Sequence, residues 1–213
     1  MSGRIGSEGR GGGKRGYHHG DLKRALVEAA RRLIAEKGPM GFTVAEAARA
    51  AGVSPSAPYR HFADRDALLR EIARQGFTTF GERLESAFAD PRFTPLQALD
   101  AQGRAYLAFA REEPAAFQTM FGAGLDFSAD PELSRAGERA FAALGRAVAA
   151  VLAGAPPERR PPAHMAALHI ATLSHGVAAL HILGGRPAPL SAEEILESAV
   201  GVYLRGLGVL GPA

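Results

Sequence analysis

The side chains with the richest hydrogen-bonding chemistry in this sequence crowd into one short run. Ser54, Ser56, Arg60 and His61 lie within eight residues, with the methyl group of Ala57 among them. Hydroxyls donate or accept, a guanidinium forms forked pairs with phosphate or guanine, and a methyl group meets the methyl of thymine. That chemistry is recognition of a polyanion rather than bond-making. No nucleophile elbow, His-Glu-x-x-His, paired-carboxylate cluster or dinucleotide fingerprint occurs elsewhere, so no enzyme is expected. The chain has no cysteine, which excludes a disulfide framework, a thiolate nucleophile and thiolate-bound metal. His164, His169, His175 and His181 are five or six residues apart, which does not stack them as i, i+4 ligands, so neither metal nor cofactor is expected. Gly12, Gly13 and Lys14 have the outline of a phosphate loop, but Arg15 stands where Ser or Thr must ligate magnesium, and no strand precedes them.

The polar run needs a scaffold that holds it outward. In a segment from Asp21 to Lys37, Leu22, Leu26, Ala29, Leu33 and Ile34 share one helical face, and Gly38-Pro39 ends it. Thr43-Val44-Ala45-Glu46 is a capping box that starts a short helix, Val44 to Ala50, and Gly52 permits a sharp turn. Ser54 can cap a third helix with Pro55 as its first residue; Pro58 would then remove a backbone bond, and the helix could instead begin near Ala57. Asp64 caps a long helix toward Phe88. Two short helices joined by a glycine-containing turn, Thr43 to Phe62, have the form of a helix-turn-helix, whose second helix enters the major groove.

Beyond this unit the chain reads as all-α, about nine helices in total. Helices are predicted from Thr94-Pro95 to Glu112, from Pro114, from Asp130-Pro131 to Ala153, from Ala163 to Leu183 and from Ala192 to Leu207. The organisation expected is a disordered basic arm over 1–18, a DNA-binding three-helix unit over 19–79, and a helical-bundle receiver and dimerisation domain over 80–213. Charge is polarised in the same sense. Up to Gln75 there are 14 Lys/Arg against 8 Asp/Glu, and beyond it 11 against 14, so a basic third meets a polyanion and an acidic remainder does not. No membrane-length uninterrupted apolar run and no signal-peptide h-region are read, and a cytoplasmic location is expected.

The ordered run Gly38-Pro39-Met40-Gly41-Phe42-Thr43-Val44, Ala47-Ala48, Ala51-Gly52-Val53-Ser54 and Tyr59-Arg60-His61-Phe62, with Leu68-Leu69, resembles the DNA-binding domain of the tetracycline-repressor (TetR) family. The resemblance covers roughly residues 19–79. It implies phosphate contacts from Thr43, Tyr59, His61 and Arg65, and base-edge contacts from Pro55, Ser56, Ala57 and Arg60, with Ser54 at the start of the same segment. Pro58 departs from the bulky apolar residue usual there. The basic arm could add minor-groove contacts.

Ser174-His175-Gly176-Val177-Ala178-Ala179-Leu180 is similar to the His-Gly segment of the WHG-type TetR C-terminal domain, without its tryptophan. Phe109, Phe117, Met120, Phe121 and Leu125, joined by His175, are candidates for lining an effector pocket, or alternatively for plain core. The resemblance implies a homodimer through the last two helices, and a repressor released from double-stranded operator DNA by a small molecule. The alternatives are a constitutive DNA-binding protein without ligand and an enzyme fused to a DNA-binding domain.

Overall fold

The structure is a computed structural model that describes residues 19–211. The basic arm assigned to 1–18 lies outside the described residues. Eight α-helices follow in order: α1 (His19–Lys37), α2 (Val44–Ala50), α3 (Arg65–Phe88), α4 (Pro95–Glu112), α5 (Pro114–Gly122), α6 (Pro131–Leu152), α7 (Ala163–Val177) and α8 (Ala192–Gly206). Among the described residues there is no strand.

Helix starts follow local chemistry. Thr43, Thr94 and Ser191 each accept from the amide three residues on, and Glu46, Gln97 and Glu194 reach back to the cap amide. Asp64 and Asp130 cap α3 and α6 with their carboxylates. At the end of α1, Gly38 adopts φ 76°, where a side chain would be strained, and its amide reaches the Ile34 carbonyl at 2.8 Å.

Two predicted helices differ from what forms. The third shrinks to a single 3-10 turn, Pro58–Arg60, because Pro58 lacks the N–H that would carry a helix begun at Pro55 through its second turn. The predicted Ala163–Leu183 helix changes character at its end, where Ala178–Leu183 widens into a π-turn. A Cβ at Gly184 would sit 2.9 Å from the carbonyl oxygens of Ala179 and Leu180, so glycine lets this wide turn close.

Three packed clusters result. The first joins Leu26, Ile34, Phe42, Ala47 and Phe62 to Leu68, Leu69 and Ile72 at the start of α3. The second gathers Phe77 and Phe80 of α3 with Tyr106, Phe109, Phe117 and Leu133. The third joins Leu99, Leu144, Val148, Ile170 and Leu204. Each large side chain fully withdrawn from water contributes about 1.5–3 kcal/mol before entropy is counted. Because α3 supplies both the first and second clusters, it is one rod running from the N-terminal unit into the bundle. It crosses α6 closely: a Cβ on Gly81 would lie 3.0 Å from the Ala140 Cα.

Polar contacts also tie α1 to the rest. Lys23 pairs with Glu71 of α3 at 3.2 Å, and Arg31 with Glu113 at the head of α5 at 2.9 Å. Ala163–Leu183 is long and apolar enough to cross a membrane by length and composition alone, although four histidines interrupt its apolar run.

Candidate nucleic-acid interface

The polar run lies outward on a braced turn. Ser54, Pro55, Ser56, Tyr59 and Arg60 are exposed, whereas Pro58 and Phe62 are buried beneath them. Pro58 therefore occupies an apolar seat, and its carbonyl accepts from the His61 and Phe62 amides at 2.8 and 2.9 Å. Placed first in its turn, the proline has no helical bond to lose. Ala57 bonds back to the Ser54 carbonyl at 3.0 Å, and the Ser54 and Ser56 hydroxyls are 3.3 Å apart. The small residues thus sit on a tight turn ahead of Arg60 rather than along one helix face.

Thr43 and Arg65 flank this turn, and both already have partners. The Thr43 hydroxyl accepts from the Glu46 amide at 3.2 Å and donates to the Glu46 carboxylate at 3.0 Å. A phosphate at Thr43 must take that hydrogen from Glu46. The Glu46 carboxyl is held at about 2, chiefly by the hydrogen bond from Lys37 at 2.9 Å and then by Thr43. Arg65 is partly exposed and donates to the Met40 carbonyl at 3.4 Å, fastening the loop after α1 to the start of α3. Arg49, at the last turn of α2, adds an exposed cation that the sequence reading did not single out.

The six residues considered for an effector pocket pack against one another in and around the second cluster. Phe109, Phe117 and Met120 are buried, and Phe121 and Leu125 partly buried. His175 stacks on Phe117 with ring centroids 5.3 Å apart, meets Phe121 edge-on, and its Nδ1 is 3.3 Å from the Tyr106 hydroxyl. Burial lowers the His175 pKa and raises that of Tyr106. Leu125 packs against both the first and second clusters.

The large cavity lies elsewhere, between α4, α7 and α8, with a volume of about 590 Å³. None of those six residues lines it. Its inner wall includes Leu84, Leu107, Leu144, Ile170 and Leu204, with Gln102, Ser174 and Tyr106 as the buried polar groups. The sequence reading did not single out Gln102, although it carries a local signal: it falls in register with Ala98, Leu99, Tyr106 and Phe109 on the inward face of α4. Among the described residues, no cluster of three or more His, Asp or Glu could hold a metal ion.

Comparison with known proteins gives two family matches. A model of the bacterial regulatory proteins of the tetR family matches residues 26–72, and one of the tetracyclin repressor-like C-terminal domain matches residues 99–203. The HTH-type transcriptional regulator BetI of Brucella canis is 32% identical over 101 residues, 46% of this chain and 51% of that protein. The chain thus spans about half the length of the curated relatives it matches. Among solved structures, a protein of unknown function from Rhodococcus sp. RHA1 is 30% identical with a TM-score of 0.76, covering 91% of this chain and 99% of that one. AibR, solved with isovaleryl coenzyme A and operator DNA, has a TM-score of 0.65 at 22% identity, covering 85% and 97%; at that identity the likeness is one of fold.

Proposed function

Because this chain belongs to the TetR family of DNA-binding transcriptional regulators, we propose that it is a homodimeric repressor which a small molecule releases from its operator. Residues 19–79 form the reading unit in this proposal, and 80–213 the receiver. Pro55, Ser56, Ala57 and Arg60 face base edges with Ser54 at the start of the same DNA-contacting segment, while Thr43, Tyr59, His61 and Arg65 hold phosphates and set register. Arg60 is the group able to pair bidentately with guanine. The protein works in the cytoplasm, where its operator is.

The observation that carries this reading is the outward polar turn braced on α3. Pro58 and Phe62 seat it, and the same 24-residue helix continues beside the receiver core. A shift of α3 driven from the receiver would therefore move the turn, which is how a distant ligand changes DNA affinity. That two distinct molecules occupy AibR, an acyl coenzyme A and operator DNA, supports such a division of labour.

Dimerisation rests on the bundle's outer face. Leu168, Leu180 and Val202 are 60%, 47% and 62% exposed on α7, its π-turn and α8. A second copy of this face covers that apolar surface, and two reading turns about one DNA turn apart then meet a palindrome.

Selection of bound duplexes from a random pool, with the mass of the resulting complex, tests the proposal. A palindromic site carrying two chains is expected. Weak, salt-sensitive binding with no enriched sequence would overturn it.

A further inference from the structure

We infer that the α4–α7–α8 cavity takes a largely apolar, uncharged or cationic effector that presents a hydrogen-bond donor to Gln102, and that it rejects carboxylates. This deepens the proposed function and rests on its receiver reading.

Gln102 is 1% exposed and lines the cavity. Its side-chain nitrogen donates to the Leu84 carbonyl at 3.0 Å. Only the nitrogen can do so, because a carbonyl partner has nothing to donate, so the amide orientation is fixed by chemistry. Its Oε1 is consequently the atom left over: it is buried and accepts no hydrogen bond from any described residue. A buried acceptor without a donor is costly, and a ligand that supplies one recovers that cost on binding.

Ser174 points to the same chemistry. It is 3% exposed, lines the same cavity, and commits its one hydroxyl hydrogen to the Ile170 carbonyl at 2.9 Å. For any further hydrogen bond its oxygen can therefore only accept. Two acceptors in an apolar chamber ask for a hydroxyl, an amide N–H or an ammonium group. The Gln102 nitrogen keeps a second hydrogen, so a hydroxyl, which donates and accepts, fits well.

The charged residues of the lining agree. Four carboxylates, Asp100, Glu193, Glu194 and Glu197, outnumber the two guanidiniums of Arg104 and Arg205 in the lining. Arg104 is already paired with Asp100 at 2.9 Å, and Glu193 is paired from outside the lining by Arg111 at 2.9 Å. An anion entering here would meet surplus carboxylate, lose its water, and leave Oε1 unpaired. The volume of about 590 Å³ lies within the range of drug-sized sites.

The test uses the purified full chain and the neutral fluorophore N-phenyl-1-naphthylamine, which brightens in apolar sites. At pH 7.5 it is displaced by 1-decanol, decylamine or decanoate, which share a chain length and differ in the head group. Decanol and decylamine are expected to displace it at concentrations about tenfold lower than decanoate. Gln102→Met, which keeps the volume and removes the acceptor, should narrow the decanol preference several-fold; Ser174→Ala, a smaller change, should narrow it less. Decanoate competing as well as decanol, or a preference unchanged in both variants, would overturn the inference. Operator affinity is measured in the same samples. Selective decanol binding with unaltered operator affinity would count against effector release and leave the cavity chemistry standing. Release by decanoate as effective as by decanol would do the reverse.

Discussion

The N-terminal unit and the C-terminal bundle use their polar groups in opposite ways. In the first, a small apolar cluster from Leu26 to Ile72 is closed, and Ser54, Ser56, Tyr59 and Arg60 stand outside it in water. In the second, Gln102 and Ser174 are withdrawn from solvent and line a partly open cleft. A surface that binds a polyanion needs outward donors on a rigid seat, whereas a site for a small apolar molecule needs a few polar groups inside an apolar wall. The same rod, α3, serves both regions, with Leu68, Leu69 and Ile72 at one end and Phe77, Phe80 and Leu84 at the other. Substitutions should therefore separate: those on the turn alter DNA preference at constant stability, and those in the bundle alter stability or ligand choice.

The sharpest break of that separation is Phe80→Ala. Phe80 is fully buried and meets the rings of Tyr106, Phe109 and Phe141. Its truncation should lower unfolding free energy by about 3–5 kcal/mol in urea titrations at fixed protein concentration. A loss below about 1 kcal/mol would mean that the bundle core collapses to fill the hole.

Next in size is the proposed dimer face. Leu168→Glu places a charge on an exposed apolar position and should yield monomers by sedimentation, with operator affinity reduced about 100-fold or more as the second half-site is lost. Unchanged mass would place the dimer contact elsewhere.

On the turn itself, Arg60→Ala should cost about 1–3 kcal/mol of discrimination at one position of the half-site, with the unfolding midpoint nearly unchanged. Arg65→Glu should instead weaken binding to all sequences alike. If the two variants behave identically, Arg60 holds backbone rather than a base.

The smallest effect concerns pH. Glu46 has its carboxyl depressed from 4.5 to about 2 by Lys37 and Thr43. A depressed acid stabilises the folded state above its unfolded pKa and ceases to do so as pH falls through the folded value. Glu46→Gln should thus flatten part of the stability loss between about pH 4.5 and 2, and an identical pH profile would show that the ion pair contributes nothing.

Which features were legible follows from how local their causes are. The starts of α2, α4 and α6 were readable because Thr43, Thr94 and Asp130 accept from amides within one turn, and that of α5 because Pro114 has no N–H to lose at a first helical position. The α7 π-turn was not, since it depends on how closely the Gly184 backbone approaches Ala179 and Leu180. Pro58 showed in the sequence as an irregularity, but its burial beneath the reading turn depends on packing within the N-terminal unit. For the cavity, aromatic residues drew attention to Phe117 and Phe121, which pack on one another; the open space arises where α4, α7 and α8 diverge, a property of three segments far apart in the chain. Gln102 in an apolar register was the available hint.

The central claim, that a dimer presents two outward turns to successive faces of one operator, can be measured as a distance. Because the chain contains no cysteine, Asp66→Cys provides a single labelling site at the exposed start of α3 on each protomer. Spin labels there should give one narrow distance distribution on the selected operator, consistent with reading turns about 34–36 Å apart, and a shifted or broader one when an effector releases the DNA. A sample on DNA with no dipolar coupling, or with the same broad distribution as the free protein, would contradict the account.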